Sequence, residues 1–221
     1  MKPLAAIIFK DVVIELRNKE AISSMMMFGL LVLVVFNFAF QPTGAERAFI
    51  APGILWVAFS FAGILGLNRS LSIETDNDCL QGLLLAPLDR GALYLGKVAS
   101  NFIFMTLAEL IILPIFILFY NLRFNLQFLQ IAAISVLGTL AFAAVGTILS
   151  TISANTRMKE VMLPILQIPL TVPVIVASVA ATGAVLSGET EGISSWLYLL
   201  GGFSIVYLTA SYLVFEFVVE E

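Results

Sequence analysis

Residues 124–156 read FNLQFLQIAAISVLGTLAFAAVGTILSTISANT, thirty-three consecutive positions without a charged side chain. About 20 helical residues cross the ~30 Å hydrocarbon core of a bilayer. A run this long, apolar nearly all round, is a membrane-spanning helix, placed near 128–151. Working outward, residues 21–45, 48–68, 161–188 and 192–215 carry no charge, and 98–122 carry one, Glu109. They give five further spans near 22–40, 49–68, 98–120, 161–183 and 194–216. Barrel strands would be alternating segments of about 10 residues, a pattern the sequence lacks. The fold class expected is an all-α polytopic membrane protein, one transmembrane domain over 1–221.

Composition agrees. Of the 221 residues 60% are hydrophobic and 12% charged, against the ~25% charged of soluble domains. Mean hydropathy is +1.04. The net charge of −4 excludes a basic nucleic-acid binder. One cysteine excludes an internal disulfide, and the absence of histidine excludes imidazole as base or metal ligand. No cluster of nucleophile, base and metal ligand marks an enzyme. The first span is too long for a signal-peptide apolar region of ~7–15 residues, so it is read as retained.

Lys and Arg set the orientation. Nine of eleven lie on one side: Lys2, Lys10, Arg17 and Lys19 before the first span, Arg69, Arg90 and Lys97 between the second and third, and Arg157 and Lys159 between the fourth and fifth. Only Arg47 and Arg123 lie on the other. The positive-inside rule puts both termini in the cytoplasm.

Residues 3–19 form an amphipathic helix. Pro3 suits a first turn, and Ala5, Ile8, Phe9, Val12, Val13 and Leu16 make one apolar face. Ile7 and Ile14 interrupt the polar side. An interfacial helix or an extension of the first span both fit.

The cytoplasmic loop 69–97, RSLSIETDNDCLQGLLLAPLDRGALYLGK, is the longest segment outside the spans. Glu74, Asp76 and Asp78 cluster where a helix start would favour negative charge. Cys79, Leu80, Leu83 and Leu84 follow as an apolar strip, and Pro87 ends it. Asp89 is placed to cap a second helix running through Lys97 into the third span. The strip either dips into headgroups or fits a partner's groove. Gly91 to Lys97 matches the start of a phosphate-binding loop, but Val98 stands where Ser or Thr would hold magnesium, and a chance match is the better reading.

Within the spans, Ser135, Thr139, Ala143, Thr147 and Thr151 recur four apart, flanked by Gly138 and Gly146. This stripe suits close packing inside the chain or between copies. Pro164, Pro169 and Pro173 remove helix donors from the fifth span and either bend it or gate it. Glu109 in the third span faces protein or is neutral.

Taken together, FKDVVIELRNKE (residues 9–20), GILWVAFSFAGILGLNRSL (53–71), IETDNDCLQGLLLAPLDRGALYLGKVASNF (73–102) and LPILQIPLTVPVIV (163–176) resemble the CcmB family, permease subunits of the cytochrome c maturation ABC transporter. Gly82, where the family often has a longer polar side chain, and Arg157-Met-Lys, in place of a basic Gly-rich turn, depart from its pattern. The resemblance implies an ABC-2-like exporter permease with no ATPase activity of its own, in the bacterial cytoplasmic membrane. Its partners would be an ABC ATPase (CcmA-like), a haem-handling membrane subunit (CcmC-like), a small accessory subunit (CcmD-like), a second copy of itself, and membrane lipid. The chain would bind no cofactor: ATP sits on the partner, and haem is handled by the complex. Residues 74–86 would form the coupling helix, with Glu74, Asp76, Asp78, Leu80, Leu83 and Leu84 meeting the ATPase. Competing readings are an ABC-2 exporter permease for another substrate, such as a lipid-linked glycan or a drug, and a non-ABC channel or scaffold.

Overall fold

A computed structural model of the chain describes residues 2–40, 46–76, 89–122, 126–154, 156, 158–188 and 192–220. Among these residues the backbone forms seven α-helices: α1 (Lys2–Asn18), α2 (Glu20–Phe40), α3 (Glu46–Asp76), α4 (Arg90–Phe119), α5 (Leu126–Ala154), α6 (Lys159–Ser187) and α7 (Ile193–Glu220). Six of them contain segments long and apolar enough to cross a membrane: Glu20–Phe40, Phe49–Ser70, Arg90–Phe119, Phe128–Ser153, Glu160–Ser187 and Ile193–Val218.

Two helices sit at the centre. Burial within the protein covers 72% of the span core of α3 and of α5, but 28% of α2, 33% of α6 and 17% of α7. Glycine sets the close approaches. A Cβ at Gly138 of α5 would lie 2.5 Å from Trp56 of α3, and one at Gly146 would lie 2.3 Å from Leu67. In the stripe on α5, Ser135, Thr139, Ala143 and Thr147 are all buried inside this one chain. Small residues there let neighbouring backbones close up.

The helix ends follow local chemistry. Asp89 adopts extended backbone and its carboxylate accepts from the Ala92 amide at 3.3 Å, so it caps α4 as its position in the sequence indicates. Gly188 closes α6 at φ +78, a left-handed conformation in which its N–H reaches back to the last turn. The acidic segment corrects an expectation. Glu74 and Asp76 do not open a helix; they lie in the last turn of α3. Arg69 to Asp76 contains neither Pro nor Gly, so the ladder of the second span continues past the apolar run. The two acids therefore lie at the end where the dipole disfavours them. Residues 77–88, including Asp78, Cys79, Leu80, Leu83 and Leu84, lie outside the described residues.

Helix α1 is fixed to the bundle by charge. Asp11 is buried, and its carboxylate receives the Lys97 ammonium of α4 at 3.1 and 3.2 Å. Lys10 approaches the same carboxylate at 2.9 Å. Ile7, one turn earlier, packs on Gly96, where a Cβ would come within 2.9 Å of its Cγ2. One turn later Glu15 is buried, and its carboxylate accepts from the Ile22 amide at 2.8 Å, capping α2 across the kink at Lys19 (φ +57). Burial pushes the Glu15 carboxyl above the usual range, opposed by the amides of Ile22 and Ala21 and reinforced by Glu20. A raised acid binds its proton more readily in the folded state, so this contribution is fully present below the unfolded Glu value and declines as pH rises through the folded one. Glu20 in turn pairs with Arg69 of α3. The face of α1 that packs is thus Ile7, Asp11 and Glu15, while Phe9 and Leu16 of the apolar stripe remain 71% and 59% exposed.

A double-mutant cycle tests the joint. Asp11→Leu or Lys97→Met alone strands a buried charge and is expected to cost roughly 3 kcal/mol of stability in detergent, whereas the double variant recovers most of the loss. Additive losses in the denaturation midpoint would mean that the two charges do not act as a pair.

Candidate functional site

Two regions concentrate the polar side chains that the bilayer penalises: the α1–α4 joint and a polar core midway along the bundle. In the core, Glu109 of α4 is buried and accepts a hydrogen bond from Thr139 of α5. The acid faces protein, as its insertion cost requires. Thr139 belongs to the small-residue stripe, so the spacing that lets α4 and α5 approach also supplies the donor.

Other hydrogen bonds tie the central helices. Trp56 Nε1 donates to Thr182 of α6 at 3.0 Å, and the Thr182 hydroxyl donates to the Ser178 carbonyl at 2.7 Å. Asn101 donates to Thr147 at 3.0 Å, and Tyr94 to the Ala144 carbonyl at 3.0 Å. A cavity of about 10 Å³ lies where α3, α4, α5 and α6 meet, lined among others by Trp56, Ser60, Glu109, Gly138 and Thr139.

The three prolines lie in α6, which runs through them without a break. Pro164 has no N–H for the Glu160 carbonyl one turn earlier. Asn68 of α3 donates its side-chain amide to that carbonyl at 3.4 Å. Pro169 and Pro173 occupy the outer face of α6, away from α3 and α5. Beside them the Leu170 carbonyl receives the Tyr207 hydroxyl of α7 at 2.7 Å.

The structure brings Glu109 into the polar core and leaves the prolines on α6, with Pro164 near the end that carries α1. Glu74 and Asp76 belong to α3 at that same end. The Gly91–Lys97 segment is helical, with Gly96 against Ile7 and Lys97 on Asp11. Its lysine already serves the α1 joint, in keeping with a chance match to a phosphate loop. Sequence reasoning missed Asp11, Glu15, Asn68, Trp56 and Thr182. The one signal for Asp11 and Glu15 was two acids a turn apart in an otherwise apolar and basic helix.

The family model described as CcmB protein matches residues 2–220. The chain belongs to the CcmB family. CcmB relatives named heme exporter protein B include that of Haemophilus influenzae, 26% identical over 205 residues, covering 93% of this chain and 91% of the relative. That of Pseudomonas aeruginosa is 25% identical, covering 82% and 81%. That of Escherichia coli K12 is 31% identical over 99 residues, covering 45% of each. The CcmB match includes every helix described above, and with them the polar core and the joint.

Glu109 distinguishes a polar from a space-filling role. Glu109→Gln keeps an acceptor for Thr139 and is expected to leave membrane levels and thermal stability near wild type. Glu109→Leu strands the Thr139 hydroxyl and should cost about 1–3 kcal/mol in detergent. A Leu variant as stable as wild type would remove the polar role.

Proposed function

We propose that this chain is the membrane-spanning permease subunit of an ABC transporter serving cytochrome c maturation. It would couple ATP hydrolysis on a separate subunit to haem export or to release of a haem-loaded chaperone. The observation that carries the reading is the family match over residues 2–220, with relatives named heme exporter protein B along nearly the whole chain. The permease lies in the bacterial cytoplasmic membrane with both ends in the cytoplasm, in keeping with nine of eleven basic residues on that side.

The geometry favours the α1 end as the docking face. At that end α3 runs on to Asp76, α4 begins at Arg90, and the Asp11–Lys97 pair fastens α1 beside them. A segment held between two helices of a fixed frame transmits a push from a partner to the spans. Residues 77–86, with Glu74 and Asp76 at their edge, serve as the coupling segment: acids toward basic groups of the ATPase, Leu80, Leu83 and Leu84 into its groove. The exposed stripe of α1, Phe9 and Leu16 included, rests in the membrane interface. A haem-handling membrane subunit, a small accessory subunit and a second copy of the chain complete the assembly. Haem ligation by this chain itself would need Met, Cys or Tyr, since histidine is absent.

Docking is separable from folding, because 77–86 lie between spans. Leu83→Asp or Leu84→Asp would bury an unpaired charge at the contact, costing several kcal/mol and lowering association by about two decades or more. Asp76→Lys should weaken docking less, since rim charges tune rate and salt dependence. The expected result is normal membrane levels with loss of the co-purifying ATPase and of c-type cytochromes. Full co-purification with both Asp variants would remove the docking role.

A further inference from the structure

Helix α6 is polar on its inner side. Gln167, Thr171, Ser178 and Thr182 are each 0% exposed and turn toward α3 and α5. Its outer side carries Val161, Ile165, Ile168, Pro169, Val172 and Val176. Ser and Thr there suit close packing between helices, but Gln167 adds an amide that a dry contact does not need.

The inner side is also under-satisfied. The Ser60 and Ser178 hydroxyls and both amide atoms of Gln167 are buried and meet no hydrogen-bond partner among the described residues. Leaving a hydroxyl or amide dry without a partner costs roughly 1–3 kcal/mol by protein mutational data. Buried waters commonly supply such partners. Room for one lies in the cavity where Ser60 meets Glu109 and Thr139, whose volume of about 10 Å³ is that of about one water probe. With two hydroxyls and a carboxyl, it offers the two to four partners a water needs.

We propose that the seam between α6 and the central helices α3 and α5 is hydrated, with a water held by Glu109, Ser60 and Thr139 at its middle and further waters on Ser178 and Gln167. The named groups contribute hydroxyls, one amide and one carboxyl, and no ammonium or guanidinium. The seam therefore suits water. The reading concerns these residues alone and stands whatever the ATPase partner or cargo.

The test uses the full chain in native membranes. Cys79→Ser removes the one thiol, and single cysteines are placed at Ser60 and Ser178, at lipid-facing Val172, and at Ala141, buried in α5. The probe is hydrogen peroxide, an oxidant close to water in size that reacts with the thiolate. Ser60→Cys and Ser178→Cys should react at least about tenfold faster than Val172→Cys and Ala141→Cys, because apolar surroundings suppress the thiolate. A second measurement on the unaltered chain guards against misfolded variants: amide hydrogen exchange over 163–182 of α6 should outpace that over 131–149 of α5. Equal, slow oxidation at all four positions with equal protection of both helices would overturn the proposal and leave a dry seam.

Discussion

Hydrocarbon offers neither a hydrogen-bond partner nor a counter-ion, and this dictates where each polar side chain of the protein sits. Within the spans the chain uses hydrogen-bonded pairs: Thr139 on Glu109, Trp56 on Thr182, Asn101 on Thr147. Full charges are paired where the bundle meets its first helix, as Lys97 on Asp11 and Arg69 on Glu20. Even a broken backbone ladder is repaired locally, by Asn68 for the carbonyl that Pro164 leaves without a donor. Packing between helices that are all apolar supplies little orientation of its own. These directional contacts fix which face of each helix turns inward.

The joint of α1 follows from the same constraint. Taking a carboxylate and an ammonium out of water costs several kcal/mol per ion unless they meet. That makes the pair a poor source of stability but a strict device for position. Together with the Glu15 cap it holds α1 against α4 in one register, so that a force on one is felt by the other. Phe9 and Leu16 of the apolar stripe stay exposed.

Much of this was legible in the sequence because lipid makes its demands in composition. Charge-free runs located all six long apolar helices, and Asp89 marked the start of α4. The faces were less legible. Ile7 read as a flaw in the polar side of α1, yet it is the residue that packs on Gly96. Asp11 and Glu15 lie off the apolar face that the spacing marks, yet they are buried. Periodicity tells an apolar face from a polar one, but cannot tell whether lipid or protein covers the apolar face. Only tertiary contact decides that. Glu74 and Asp76 misled for a related reason. A dipole preference of under ~1 kcal/mol does not stop a helix that has no Pro or Gly to break it.

The proposed permease role requires the α1 joint, residues 77–88 and both chain ends to share the cytoplasmic side. Cys79, the one thiol of the chain, reports on that directly. Intact cells treated with a membrane-impermeant thiol reagent should leave Cys79 unlabelled until the membrane is permeabilised, after which labelling should be strong. Strong labelling before permeabilisation would reverse the orientation and place the coupling segment beyond the reach of any ATPase.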